Sequence, residues 1–129
     1  MAGITPTQRT LKAMREQGRI CGIVEKFNTH VGKFGIRQDL FGFIDIIAID
    51  PVDGIIAIQS CGSSISAHVK KLLEERNDIV YEWLKFSKLE LWGWRQVKLN
   101  RGGIAMRWHP RVIDIFINLD NEIITKERK

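Results

Sequence analysis

Residues 43–61 read FIDIIAIDPVDGIIAIQSC, two apolar runs on either side of a short polar turn. Pro51 and Gly54 are typical turn residues, because proline presets its backbone angle and glycine adopts left-handed angles without strain. The pattern predicts a β-hairpin. Two polar side chains interrupt it: Asp45 lies inside the first apolar run, and Gln59 lies near the end of the second.

The length of the turn decides which residues of this hairpin face each other. If Asp50 pairs with Gly54 across a three-residue loop, Asp45 lies opposite Gln59, with Cβ atoms about 4.5–5.5 Å apart. A two-residue loop would place Asp45 opposite Ser60 instead. The proline of the turn favours the wider loop, in which the carboxylate and the amide share one face.

A carboxylate inside an apolar strand needs a physical explanation, because removing it from water costs several kcal/mol without compensation. Asp45 and Gln59 together could hold a hard cation such as Mg²⁺ through one carboxylate oxygen and one amide oxygen. Alternatively, Asp45 accepts hydrogen bonds from the strand or from side chains, and Gln59 donates one. The residues of the hairpin leave both explanations open.

Outside the hairpin, apolar spacing predicts a helix over residues 5–17, with Gly18 as its stop. A strand over residues 19–27 and an exposed loop over residues 28–38 follow. After the hairpin we expect a helix beginning at Ser63 or Ser64, an amphipathic helix around residues 79–86, and strands over 89–99 and 104–117. The order α-β-β-β-α-α-β-β indicates an α/β domain on a central mixed β-sheet flanked by helices. Residues 1–129 form a single domain, whose charged end, 118–129, is expected to fray.

The composition is that of a soluble globular protein, with 44% hydrophobic and 27% charged residues among 129. Its net charge of +5 is compatible with a partner that carries phosphates. Cys21 and Cys61 lack metal-type spacing and are expected to be free thiols in a reducing compartment. Because the N-terminus lacks a signal-peptide core and no apolar run reaches about 18 residues, we expect a cytoplasmic protein without a membrane partner.

Four segments of the chain resemble the PD-(D/E)XK nuclease superfamily, and their layout is similar to archaeal Holliday-junction resolvases and to phage-type relatives with Gln at the acidic position. The segments are QGRICGIVEKF (17–27), DLFGFIDIIAI (39–49), GIIAIQSC (54–61) and LWGWRQVK (91–98). The resemblance implies a restriction-endonuclease-like fold, Mg²⁺ (or Mn²⁺) as cofactor and DNA as substrate. It further implies metal-dependent endonuclease activity on branched or junction DNA and a possible homodimer. Asp45 matches the Asp of the motif, and Gln59 matches its Glu/Asp.

The chain departs from this family pattern at two positions. Cys61 occupies the place of the motif lysine, and Thr7 the place where resolvases carry a glutamate on the first helix. Some superfamily members carry the lysine on the following helix, which makes Lys70 and Lys71 candidate catalytic residues here. For either lysine taken alone, a place on a solvated helix face is the simpler interpretation.

Other polar residues extend the candidate site. Glu25, on the neighbouring strand, and Asp39, just before LFGF, are candidate metal ligands, although Glu25 could mark a sheet edge and Asp39 could cap a turn. Basic residues near aromatic ones are typical of surfaces that bind a phosphate backbone and unpaired bases. The candidate DNA-binding residues are Lys33, Arg37, Arg95, Lys98 and Arg107.

Two other functions fit the same residues. The missing lysine and glutamate favour a DNA-binding module whose active site has decayed. A small protein-interaction domain would make the basic residues incidental.

Overall fold

The computed structural model describes residues 3–28, 30 and 35–129, and of residues 27, 28, 36 and 37 it describes the backbone alone. In chain order the elements are α1 (Pro6–Glu16), β1 (Ile20–Ile23), β2 (Lys26–Asn28), β3 (Ile36–Gln38), β4 (Ile46–Asp50), β5 (Gly54–Cys61), α2 (Ile65–Lys70), a π-helical turn (Lys71–Glu75), α3 (Asn77–Leu84), β6 (Lys88–Lys98), β7 (Met106–Ile117) and β8 (Ile123–Glu127). In these described ranges, no helix has the length and apolar character needed to cross a membrane.

Six of the strands form one mixed sheet in the order β1-β4-β5-β6-β7-β8. The β5–β6 pair is parallel, and the other four neighbouring pairs are antiparallel. The parallel pair requires a crossover, which α2, the π-helical turn and α3 provide. The predicted α/β class and the mixed sheet with flanking helices are therefore confirmed.

The central hairpin has the predicted register. Asp50 pairs with Gly54 across a three-residue loop, and the ladder continues to Ile46 opposite Ile58. The first strand is shorter than predicted, because the chain before Ile46 turns out of the ladder. An isolated bridge between Leu40 and Ile44 closes this turn. Phe43 and Ile44 are fully buried without belonging to the strand, which is why the sequence suggested a longer one.

Each face of the sheet carries its own core. On one face, Leu11 and Met14 of α1 pack with Ile46, Ile58 and Trp92. The residues of the opposite core come from the crossover helices and the facing strands, and they include Ile65, Leu72, Val80, Ala57, Leu89 and Leu91. Because Trp92 and Trp94 both belong to the α1 side, their main role is packing and not contact with a ligand.

Two expectations about the edges of the fold were wrong. The strand predicted over residues 19–27 is divided into β1 and β2, and part of the predicted 28–38 loop is the strand β3, which pairs with β2. The end of the chain is not a frayed tail, since β8 pairs with β7 along five residues. Its charges are used in ion pairs: Arg128 binds Glu90 and Asp114, each at 2.7 Å. A charged composition therefore did not indicate a solvated tail here.

The β6–β7 hairpin reaches beyond the rest of the sheet. The last pair between β5 and β6 joins Cys61 to Gly93, whereas β6 and β7 remain paired to Lys98 and Met106. We call residues 94–98 and 106–110 the arm. Because β5 runs parallel to β6, the arm starts at the end of the sheet where Gln59 lies.

Candidate active site

Asp45 lies just before β4 and is 4% exposed. Its Oδ2 accepts a hydrogen bond of 2.8 Å from the backbone N–H of Ser60 on β5. Its backbone carbonyl accepts from the N–H groups of Val24 and Glu25, at 2.9 and 3.3 Å. The segment between β1 and β2 is therefore tied to the start of β4, which brings the Glu25 side chain to this end of the sheet.

Asp39 reaches the same place because the following loop folds back on itself. The carbonyl of Asp39 accepts from the N–H of Gly42 at 3.0 Å, and Phe41 and Gly42 both have positive φ, 56° and 80°. One potential ligand atom from each of Glu25, Asp39 and Asp45 lies within 4.8 Å of the other two. We call these three residues the acidic cluster.

The surroundings of Asp45 disfavour its charged form. Burial, a hydrogen bond with the Asp39 carboxyl group and repulsion by Asp39 and Glu25 raise the pKa of Asp45 to about 9, against the lowering effect of the Ser60 N–H. A carboxyl group in this state holds a proton at neutral pH unless a cation compensates the crowded charge. The acidic cluster therefore has the electrostatics of a site that favours a divalent cation.

Glu90 shows that burial alone does not produce this state. It is 2% exposed, and its carboxylate accepts hydrogen bonds from Arg19, Trp92 and Arg128 at 2.7–2.9 Å. Burial alone would raise its pKa, but these hydrogen bonds and charges outweigh it and lower the pKa of Glu90. Glu90 is a paired structural charge, whereas Asp45 is surrounded by other carboxyl groups.

Gln59 is 1% exposed, and its Oε1 has no hydrogen-bond partner within the described part of the chain. Leaving a buried acceptor unsatisfied costs about 1–3 kcal/mol. Alternation along β5 places Gln59 on the face of Ala57 and Cys61, and Gln59 is the chain neighbour of Ser60, whose N–H holds Asp45. A neutral oxygen without a partner thus lies one residue from the group that fixes Asp45.

Cys61 and Thr7, the two departures from the family pattern, both lie close to the residues around Asp45. Burial, together with the nearby charge of Asp45 and against that of Arg111, raises the pKa of Cys61 to about 11. The thiol is therefore neutral at pH 7 and cannot replace a lysine. The Thr7 hydroxyl forms a hydrogen bond of 2.9 Å with that of Ser60, so the first helix does reach the residue that holds Asp45, without bringing a carboxylate.

The structure distinguishes the two candidate lysines. Lys71 lines a groove together with Asp39. Lys70 has a side chain that is 74% exposed and lies 4.0 Å from Glu74, a contact of little energetic value at such exposure. Consecutive residues of a helix point about 100° apart, so only one of the two lysines faces the groove.

Sequence reasoning did not select His68, which lies on α2 one turn before Lys71. Its Nδ1 is buried without a hydrogen-bond partner among the described residues. Burial and the charge of Lys71 lower the pKa of His68, while Asp39 acts in the opposite direction. The spacing of three residues from Lys71 was the only signal in the sequence.

Three of the five candidate DNA-binding residues have side chains that the structure describes. Lys33 and the side chain of Arg37 lie outside the described residues. Arg95, Lys98 and Arg107 are exposed residues of the arm. The pairs Arg95–His109 and Val97–Arg107 place Arg95 and Arg107 on one face of the arm, and alternation places Lys98 on the other.

Comparison of the chain with protein-family models, with curated proteins and with solved structures finds no significant match.

Proposed function

We propose that the chain is a Mg²⁺-dependent DNA endonuclease with a restriction-endonuclease-like fold. The observation that carries the proposal is the acidic cluster, in which oxygens of Glu25, Asp39 and Asp45 approach within 4.8 Å. Buried carboxyl groups that serve only the fold are paired with cations, as Glu90 is. Asp45 forms no such ion pair with a described residue that would explain its burial.

The donor set fits the proposed metal. Carboxylate and amide oxygens are hard ligands, which suit Mg²⁺ and Mn²⁺ better than softer metals. In a phosphodiesterase such an ion lowers the pKa of a bound water and polarises the phosphate. Two contacts of the chain orient Asp45: Ser60 fixes one of its oxygens through its N–H, and the hydrogen bond between the carboxyl groups of Asp45 and Asp39 is the contact that a metal ion would replace.

A cation must also offset the charge that develops on the phosphate during hydrolysis. Cys61 cannot do so, because its thiol is neutral. We assign this role to Lys71, which lines the groove that also contains Asp39.

We therefore expect Lys71→Ala to lower the rate of DNA cleavage by about 100-fold, the usual effect of losing one group that stabilises transition-state charge. Lys70→Ala is the matched control, because it removes the same charge one residue away, outside the groove. The measurement is single-turnover cleavage of a labelled DNA at saturating protein. Equal rates for the two variants would contradict the assignment of Lys71.

The arm gives the proposed enzyme a surface for DNA. It projects from the end of the sheet where Gln59 and Asp45 lie, and it presents Arg95 and Arg107 on one face. A basic β-ribbon at this position could track the phosphate backbone while the scissile phosphate occupies the acidic cluster.

Charge removal at Arg95 and Arg107 should flatten the salt dependence of DNA affinity. Each phosphate contact contributes about 0.9 log unit of affinity per log unit of salt, so the double glutamine variant should lose roughly 1.8 from this slope. Fluorescence anisotropy from about 50 to 200 mM salt measures it. As a control, Lys85→Gln removes a cation that is already paired with Glu82 on α3, and its slope should equal that of the wild type.

One experiment separates the proposed enzyme from its two rivals. Labelled four-way and linear DNA are incubated with the protein in Mg²⁺ or in EDTA, and both binding and cleavage are measured. Cleavage only with Mg²⁺ supports the nuclease. Binding without cleavage supports the decayed module, which Cys61 and Thr7 favour, and a lack of binding at about 50 mM salt supports a protein-interaction domain.

A further inference from the structure

A groove of about 500 Å³ lies beside the acidic cluster. It is formed by the segment after β1, the loop before β4 and the π-helical turn. The lining residues that matter here are Lys26, Asp39, Phe41, Gly42, Lys71 and Arg76. Because Asp39 belongs both to the groove and to the acidic cluster, a ligand in the groove would touch the proposed catalytic centre.

The groove has an excess of positive charge. Among the described residues that line it are three cationic side chains, those of Lys26, Lys71 and Arg76, and one carboxylate, that of Asp39. None of the three cations forms an ion pair with an acidic residue in the ranges that the structure describes. Arg76 lies directly over the loop, since a Cβ at Gly42 would be 2.5 Å from its Nε. The groove is therefore suited to an anion such as a phosphate.

Phe41 adds an aromatic wall. Its ring is 54% exposed, although Phe43 and Ile44, which follow in the same loop, are fully buried. Its φ of 56° is rare for a bulky residue, and such strained conformations are concentrated at ligand-binding and catalytic sites. Burial of this apolar ring in the core would be more favourable. The loop instead holds the ring at the edge of a cationic groove.

We propose that this groove binds an unpaired nucleotide of the DNA, with its phosphate at Lys71 and Arg76 and its base stacked on Phe41. The ring can stack only on a base whose face is free, and the bases of an intact duplex are stacked on each other. This inference rests on the proposed function and assigns its substrate class: DNA with an unpaired nucleotide next to the scissile phosphate.

The test compares three DNA duplexes of one sequence in EDTA, so that no cleavage occurs. The first carries a single unpaired nucleotide, the second has an abasic residue at that position, and the third is fully paired. Stacking of one base on an aromatic ring commonly changes affinity by about tenfold. We expect the wild type to bind the first duplex about tenfold more tightly than the other two.

Variants of Phe41 assign the preference to the ring. Phe41→Ala should bind the first and second duplexes equally, whereas Phe41→Tyr should retain the preference. Phe41→Gly should lose it as well, and because glycine accepts the positive φ, its melting temperature should be no lower than that of the wild type. Lys71→Ala should weaken binding of all three duplexes without removing the preference for the base.

Equal affinity of the wild type for the first two duplexes, or a preference that survives in Phe41→Ala, would overturn the inference. Cleavage of the same duplexes in Mg²⁺ is scored separately. A base preference without cleavage would contradict the proposed nuclease activity but support nucleotide binding in the groove. Cleavage without a base preference would support the nuclease activity but contradict nucleotide binding in the groove.

Discussion

Replacing Asp45 with asparagine is expected to lower Mg²⁺-dependent DNA cleavage by about 100-fold or more. The variant loses a charged metal ligand, and the metal stabilises the transition state by several kcal/mol. Each 1.4 kcal/mol corresponds to a factor of about ten in rate. The fold should persist. The amide oxygen of the introduced asparagine can still accept the hydrogen bond that Ser60 donates to Asp45, and the variant removes one of three crowded carboxyl groups. Cleavage kinetics and thermal melts with and without Mg²⁺ measure both effects.

The matched control is Asp53→Asn, at the opposite end of the same hairpin. Asp53 is a turn residue whose carboxylate accepts a hydrogen bond from Lys88 at 2.8 Å. Its replacement should change neither cleavage nor the Mg²⁺ dependence of the melting temperature. If millimolar Mg²⁺ and Mn²⁺ do not change the melting temperature of the wild type, the proposed metal site is rejected. If Asp45→Asn unfolds, the role of Asp45 is to stabilise the sheet.

Replacing Glu90 with glutamine should destabilise the protein by about 3–5 kcal/mol, the usual cost of removing one partner from a buried ion pair. Glu90 holds both terminal nitrogens of the buried Arg19, at 2.8 and 2.9 Å. Without its charge, Arg19 retains only Asp50 as a carboxylate partner among the described residues, and Arg128, just after the last strand, retains only Asp114. Urea unfolding gives the difference in the free energy of unfolding.

Glu82→Gln is the control for Glu90→Gln, because Glu82 of α3 forms an exposed pair with Lys85, the residue just after this helix. It should cost less than about 1 kcal/mol. The pH dependence of stability gives a second test of the Glu90 ion pairs. The lowered pKa of Glu90 contributes stability at neutral pH, which is lost as the pH falls below about 4.3, the ordinary value of a glutamate. Stability of Glu90→Gln should therefore fall less steeply with acid than that of the wild type, and an equal fall in both would contradict the prediction.

Local sequence was sufficient for much of the fold. The α1 helix could be predicted because its signals are adjacent in the chain: Thr5 and Gln8 form a capping box, and Pro6 is the first helical residue. The register of the central hairpin followed from the turn, since loop length fixes which residues pair. Asp45 and Gln59 could also be identified, because a polar residue within an apolar run is evident from the sequence alone.

The fold at the chain end required distant partners that no local pattern contains. Residues 118–129 look like a solvated tail until Arg128 meets Glu90, which is 38 residues away. The strand β8 is held by its five-residue ladder with β7 and by Ile123, which packs against the core, while Arg128 adds ion pairs to Glu90 and Asp114. Glu90 and most of this core are distant in the chain, so local alternation of apolar and polar side chains does not reveal these contacts.

Residues 43–61 alone indicated a carboxylate, Asp45, and an amide, Gln59, on the two sides of one hairpin, because turn chemistry and the two-residue period of a strand act over short distances. Glu25 and Asp39 were candidate ligands in the sequence, but the assembled fold is what brings them to Asp45. Glu25 arrives through backbone hydrogen bonds to the Asp45 carbonyl, and Asp39 through a loop with two successive residues of positive φ. Such long-range backbone contacts depend on the packing of the whole sheet, so the residue types at these positions cannot encode them locally.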